Sequence, residues 1–267
     1  MEPSSVTCIT YSPTRTSHRV VAAIAEGLGA NATIDVDLTL RRTGTVKVAV
    51  AAADVAIFGV PVYAGRVAAT AMKRLCLVKG QDTPAVLVAV YGNRAYEDAL
   101  LELADLVSAS GFVPVAAAAF IGEHSFSTEA TLLAVGRPDA QDLDRAVAFG
   151  RDVRSMLEGA ASMTDIAPVS LPGNRPYRKG VRETDSAPET LSDLCTLCGE
   201  CADACPVGAV AVGETVETDG WACTLCCACT RACPTGARVL NDAGVLRTMQ
   251  WLAREYSTRR EPELFLP

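Results

Sequence analysis

The sequence predicts a doubly wound α/β domain with a parallel sheet over residues 1–160, and a small cysteine-rich α+β domain over residues 191–267, joined by a linker over 161–190. Three observations predict this. Strand and helix periodicities alternate through the first part of the chain. Nine of the eleven cysteines fall between Cys195 and Cys233, with only Cys8 and Cys76 before them. The stretch between, APVSLPGNRPYRKGVRETDSAPE (Ala167 to Glu189), is rich in Pro, Gly and charge and sustains neither period, as a linker does.

The elements follow in order. VTCITY (6–11) is a buried strand, HRVVAAIAEGL (18–28) an amphipathic helix, and TIDVDL (33–38) an alternating strand. DVAIFGV (54–60) is a strand ending at Pro61, AATAMKRLCLV (68–78) a short helix and PAVLVAVY (84–91) a strand. YEDALLELADLVSASG (96–111) is a helix stopped by Gly111, VPVAAAAF (113–120) a strand, and Asp139 to Glu158 a closing helix. Such alternation places helices on both faces of a parallel sheet. Further on, GETVETDG (213–220) reads as a turn and strand between two cysteine runs, and VLRTMQWLAREYSTRR (245–260) as a terminal helix packed as a cap on the cysteine-rich domain.

Bulk properties narrow the function. With 24 Lys and Arg against 31 Asp and Glu, the net charge of -7 argues against nucleic acid as a partner. The longest apolar run, Val48 to Val62, is broken by Asp54 and Pro61 and is too short for a membrane span. MEPSSVTC has no positive region ahead of an apolar core, so the expected location is the cytoplasm, where eleven cysteines point to metal chemistry more than to disulfides.

In open parallel sheets, ligands bind beyond the carboxyl ends of the strands. Three loops lie there: SPTRTS (12–17), PVYAGR (61–66) and GNRAY (92–96). The first supplies hydroxyls ahead of a helix N-terminus, which suits an anion and equally suits helix capping. The others, with Tyr91, supply tyrosines that can stack on a flat ligand and glycines that let the backbone approach it. His18 starts a helix. His124, in IGEHSF, lies near the same sheet edge, and its expected role is structural.

The cysteine-rich region is a duplication. Cys195, Cys198, Cys201 and Cys205-Pro206 repeat as Cys223, Cys226, Cys229 and Cys233-Pro234 at an offset of 28 residues, which also relates Gly208 to Gly236. Each run is C-x2-C-x2-C-x3-C-P, the spacing of a bacterial ferredoxin, whose fourth cysteine serves the other cluster. By that rule one [4Fe-4S] cluster takes Cys195, Cys198, Cys201 and Cys233, and a second takes Cys223, Cys226, Cys229 and Cys205. Zinc sites use C-x2-C pairs but not this repeated run with its proline. Cys227 falls outside the repeat, where the first run has Gly199, and reads as a buried or loop thiol. Cys8 and Cys76 read as small core residues.

The order strand–SPTxTS–helix, with strand ends reading PVYAGR and YGNRAY, resembles the flavodoxin-type domain of flavodoxin–ferredoxin fusion proteins. The resemblance spans the chain, including PGNRPY in the linker and EPELF near the C-terminus. It implies a sheet of order 2-1-3-4-5 and FMN as ligand. It implies that Ser12, Thr14, Thr16 and Ser17 hold the FMN phosphate, with Arg15 where the family usually has glycine. It also implies that Pro61, Val62, Tyr63, Ala64 and Gly65 on one side, and Tyr91, Gly92, Asn93, Arg94 and Tyr96 on the other, flank the isoalloxazine. At position 15 an arginine side chain either blocks the backbone approach or adds a cation beside the phosphate.

Clusters move single electrons and flavin takes one or two, so the sequence reads as an electron-transfer iron–sulfur flavoprotein of anaerobic redox metabolism. Its expected partner is a redox protein donor or acceptor, with homo-oligomers allowed. No nucleophile–base set, Walker loop or GxGxxG motif is present. Two alternatives stand beside this: an FMN-dependent reductase of a small substrate fed by the clusters, and a ferredoxin carried on a flavin-free docking scaffold.

Overall fold

The computed structural model of the protein describes residues 5–40, 47–180 and 184–267. Residues 1–4 of the N-terminal reading, 41–46 of the first domain and 181–183 of the linker lie outside the described residues. Strands β1 (Val6–Thr10), β2 (Thr33–Asp37), β3 (Val55–Tyr63), β4 (Thr83–Tyr91) and β5 (Phe112–Ile121) form a parallel sheet in the order β2-β1-β3-β4-β5. This is the doubly wound, flavodoxin-like 2-1-3-4-5 arrangement. β1 and β4 are buried along their whole length, which is why they read as continuous apolar runs and not as alternating ones.

Two helices cover each face. α2 (Ala69–Leu75) and α3 (Ala99–Ser108) pack Leu75, Leu100 and Leu103 against Ile9, Phe58 and Leu87. α1 (Thr16–Leu28) and α4 (Ala140–Gly159) pack Val21, Ile24, Phe149 and Val153 against Ile57, Val88 and Phe120 on the other face. Successive strand residues thus feed opposite cores, the period of two expected of a sheet. Gly150 lets α4 touch α1, because a β-carbon there would sit 2.2 Å from the Ile24 carbonyl oxygen.

The predicted helix over 96–111 begins later, at Ala99, because Asn93 and Glu97 take positive φ and the chain turns before it can coil. Cys8 is buried in β1, but Cys76 is exposed where α2 ends, so the reading of Cys76 as a core residue is corrected.

The segment after α4 is strapped to α3 along its described residues. The Asp98 carboxylate accepts from the Asn174 amide at 2.9 Å and the Arg178 amide at 2.7 Å, and Asp105 binds the Arg175 guanidinium and the Tyr177 hydroxyl. These backbone donors hold the Asp98 carboxyl below its usual range. Beyond it, β6 (Val210–Val212) and β7 (Val216–Thr218) form a hairpin, with the short helices α5 (Glu200–Asp203) and α6 (Ala228–Ala232) each placed inside one cysteine run. Glu189–Thr190 pairs with Arg238–Val239 and closes this small unit.

The chain then returns to the first domain. After α7 (Ala243–Glu255), β8 (Glu263–Phe265) adds antiparallel to β5 and covers that edge of the sheet. No described helix is long and apolar enough to cross a membrane.

Candidate functional site

At the carboxyl ends of β1, β3, β4 and β5 lies a cavity of about 640 Å³, within the range of small-molecule sites. Ser12, Thr14, Thr16 and Ser17 line one end of it. The loop is shaped locally: the Arg15 amide donates to Ser12 O at 3.0 Å, and the Ser12 amide donates to Thr39 Oγ1 at 2.8 Å. The hydroxyls divide their work. Ser12 Oγ accepts from the His18 amide at 3.2 Å and so caps α1, whereas Ser17 Oγ is buried and has no hydrogen-bond partner among the described residues. Helix α1 carries no acidic residue in its first turn, which leaves its positive end available to an anion. An uncommitted buried hydroxyl at such a terminus fits a phosphate.

Arg15 is not part of the cavity lining. Its backbone takes the left-handed conformation, φ 65°, that glycine normally supplies, and its side chain turns outward to Asp37, Nη1 to Oδ2 3.0 Å, with 55% of its surface exposed. Arg15, grouped in the sequence with the hydroxyls of this loop, thus keeps the turn's shape while its guanidinium lies outside the cavity lining. Left-handed backbone costs a non-glycine residue about 1–2 kcal/mol, and an exposed ion pair returns little of it. Arg15→Gly should therefore unfold within about 1 kcal/mol of wild type in a denaturant titration, as strain relief offsets the added freedom of the unfolded chain. A loss well beyond that would show instead that the pair with Asp37 holds the turn.

Pro61, Val62, Tyr63, Ala64 and Gly65 form the second wall. PVYAGR is a hairpin in which Val62 pairs with Val67 and Tyr63 with Arg66; Ala64 and Gly65 both take positive φ, as a two-residue hairpin loop demands. Arg66 anchors it, Nε to Glu102 Oε2 at 2.8 Å and Nη1 to Arg178 O at 2.6 Å. Tyr91, Gly92 and Arg94 form the third wall. Arg94 is held bidentate by Glu97 at 3.1 and 2.7 Å. Gly92 makes room for His124, whose Cδ2 would lie 2.2 Å from a β-carbon there.

Asn93 and Tyr96, both expected at the flavin, are not among the lining residues. Asn93 takes φ 65°, which swings its side chain to the C-terminal tail, where Nδ2 donates to Tyr256 O at 2.6 Å and Thr258 O at 2.8 Å. The Tyr96 hydroxyl donates to Glu263 Oε2 at 2.6 Å. Its ring packs edge-on to Tyr91, 5.4 Å between centroids. Both residues fasten the tail.

Three contributors to the cavity were not legible as such in the sequence. The first is the loop after β5, which the sequence put at this sheet edge with a structural role expected for His124; there His124 lines the wall, accepts from the Phe126 amide at 3.1 Å, and is held by burial and by Arg94 well below its usual range, at about 4. The second is α7, read from the sequence as a cap on the cysteine domain. It lies over the cavity, with Val245, Thr248, Trp251 and Leu252 facing in. The third is Thr224 with Leu225, which sit between two cysteines of the second run and form part of the same wall.

The cysteines surround two separate voids. One is lined by Cys195, Cys198, Cys201 and Cys233, the other by Cys205, Cys223, Cys226 and Cys229 with Cys227 beside them. Each void thus takes three cysteines from one run and the fourth from the other. Leu197 and Leu225, equivalent in the repeat, both take positive φ, and this curls the loop around the sulfurs. Backbone donors reach sulfur: the Leu225 amide to Cys223 Sγ at 3.4 Å and the Ala209 amide to Cys205 Sγ at 3.2 Å. Four thiols around a void, with N–H donors to sulfur, fit a cubane cluster. Cys227 is buried at φ 59°, and its thiol donates to Leu225 O at 3.5 Å.

Fold and site together define a doubly wound, flavodoxin-like parallel-sheet domain followed by a small cysteine domain with two four-thiol sites. Residues 188–243 match the 4Fe-4S dicluster domain family. No curated protein matches the chain. Among solved structures it is similar to a flavodoxin from the domain Archaea, at 10% identity and TM-score 0.37, covering 58% of this chain and 99% of that one. It is also similar to the Fusobacterium nucleatum flavodoxin bound to flavin mononucleotide, at 14% identity and TM-score 0.36 over 58% and 96% of the two chains. An oxidoreductase from Corynebacterium diphtheriae aligns at 12% identity and TM-score 0.38 over 60% and 100%.

Proposed function

We propose that the protein is an electron-transfer iron–sulfur flavoprotein. FMN occupies the cavity at the sheet edge in the domain of residues 1–160, and two [4Fe-4S] clusters with crossed ligation sit in the domain of residues 191–267. When bound, the flavin supplies a group that takes or gives one or two electrons, matched to clusters that move one at a time. Ser12, Thr14, Thr16 and Ser17 receive the phosphate, with the N-terminus of α1 behind them. The 61–65 hairpin and the 91–94 loop bracket the ring, and α7 keeps bulk water from it.

The observation that carries this reading is the position of Thr224 and Leu225. They lie in the loop between Cys223 and Cys226 and form part of the cavity wall. The cluster of Cys205, Cys223, Cys226 and Cys229 is thereby the inner one, next to the flavin. The cluster of Cys195, Cys198, Cys201 and Cys233 is the outer one, with Cys198 exposed and Leu191, Leu194 and Leu197 exposed near it. Between residues 188 and 243 the chain carries eight Asp and Glu against two Arg and no Lys. A redox protein with a basic rim suits that outer face.

Electrons supplied to the outer cluster should therefore reach the flavin within one molecule. After rapid reduction of the anaerobic protein by a one-electron donor, flavin bleaching should be first order with a rate independent of protein concentration. A rate that rises in proportion to protein concentration would mean that electrons pass between molecules, and the proposed internal route would be wrong.

A further inference from the structure

The duplication contains an internal contrast. At the offset of 28 residues, Arg238 is the counterpart of Val210. Val210 does what an apolar residue does at that position, packing with Cys201 and Cys229 into the small core of the cysteine unit. Arg238 is more deeply buried still, 4% exposed against 8%, yet it brings a cationic guanidinium. A buried charge is costly unless it is paired and hydrogen-bonded. Its Nη1 donates to Thr190 Oγ1 at 2.6 Å and its Nη2 to Thr218 Oγ1 at 2.7 Å, and both partners are neutral hydroxyls.

The remaining contacts point toward the cysteines. Nη2 stands 3.9 Å from Cys229 Sγ, a thiol of the inner void. The same residue lines the outer void, with Cys195, Cys198, Cys201 and Cys233. Its Nε is buried and has no hydrogen-bond partner among the described residues. One planar fork of donors thus sits between the two voids, with a donor uncommitted.

We propose that Arg238 is a positioning residue shared by the two clusters, a fixed cation that hydrogen-bonds to their sulfurs and makes them easier to reduce. This rests on the reading of both voids as [4Fe-4S] sites. The physics is direct. A four-thiolate cluster carries net negative charge that grows by one on reduction. A cation in hydrogen-bond reach, in a medium that screens poorly, favours the more negative state. Cluster potentials respond to net charge and to hydrogen bonds on sulfur. The repeat would otherwise make the two clusters near copies. Arg238 supplies charge at only one of the two equivalent positions.

The test uses the full-length protein, purified anaerobically, with iron counted before potentials are measured. Arg238→Met keeps the length and removes the charge. With about eight iron per chain retained, the reduction equilibrium of at least one cluster should fall by about tenfold, which is about 59 mV for a one-electron couple. Arg238→Lys, which keeps the charge, should recover part of that shift. In wild-type protein carrying ¹⁵N-arginine, pulsed EPR of the reduced clusters should show a nitrogen coupling that is absent from Arg238→Lys labelled in the same way. Potentials unmoved in an iron-replete Arg238→Met would overturn the proposal. If that variant loses its iron, the labelled wild type decides, and no Arg238-dependent coupling would make Arg238 a packing residue only. Failure of the wild type itself to hold about eight iron would instead sink the underlying two-cluster reading.

Discussion

Replacing Cys205 with alanine should remove about half of the iron, about four atoms per chain, and should leave the cluster of Cys195, Cys198, Cys201 and Cys233 in place. Cys205 belongs to the first run in sequence, so simple grouping along the chain predicts damage to the first cluster. The fold predicts the opposite, because Cys205 stands around the void of Cys223, Cys226 and Cys229. Its sulfur also accepts from the Ala209 amide at 3.2 Å, so the substitution removes a ligand and an acceptor together. Cys233→Ala is the mirror case and should empty the outer site. EPR spectra of the two reduced variants should be complementary, and their sum should approach the wild-type spectrum apart from coupling between clusters. If Cys205→Ala loses the signal that Cys195→Ala loses, and not the one that Cys223→Ala loses, the crossed ligation is wrong. Loss of the inner cluster should also slow flavin reduction sharply, since the proposed route runs from the outer cluster through it to the cavity that Thr224 and Leu225 line.

The second large effect is expected at Asn93. The residue is 5% exposed, and its side chain joins the end of β4 to the tail by donating to Tyr256 O and Thr258 O and accepting from the Arg260 amide at 3.3 Å. Alanine would leave two carbonyls and an amide without that partner, and would place in the left-handed region a residue that tolerates it less well than asparagine. The cost of the unmade bonds is about 2–4 kcal/mol. Tyr256 directly follows α7, so the loss should be felt at the roof of the cavity. The expected results are earlier protease cleavage between Tyr256 and Glu261 and faster loss of FMN on dilution, with cluster iron unchanged. Cleavage and flavin retention equal to wild type would show that the tail is held by other contacts alone. Those contacts include Arg259 Nη1 to Asp139 Oδ2 at 2.6 Å and the β8–β5 pairing.

What the sequence revealed and what it hid have physical causes. The five parallel strands and their covering helices were legible because each is a local pattern: buried runs such as TPAVLVAVY, or an amphipathic stripe such as that of α1. The cysteine duplication was legible for the same reason. Hidden features depend on partners distant in sequence. β8 is three residues long and exists because β5 offers an open edge more than 140 residues earlier. Arg15 read either as a block or as an added cation because a sequence gives a residue's type and not its direction; Asp37, 22 residues on, takes the side chain away. Asn93 and Tyr96 have the composition of a flavin loop, yet the positive φ at Asn93 turns them toward the tail. Arg238 stands at a repeat position that the sequence does mark, but its place between two voids follows only from the way the halves pack.

The central claim is that one chain holds FMN beside two clusters. Anaerobic purification, with iron, sulfide and released flavin determined on the same sample, tests it most directly. The account predicts about eight iron and eight sulfide with one FMN per chain, the flavin being restored by soaking if it is lost. About eight iron with no FMN retained after soaking would contradict it and would leave a ferredoxin on an empty flavodoxin-like scaffold.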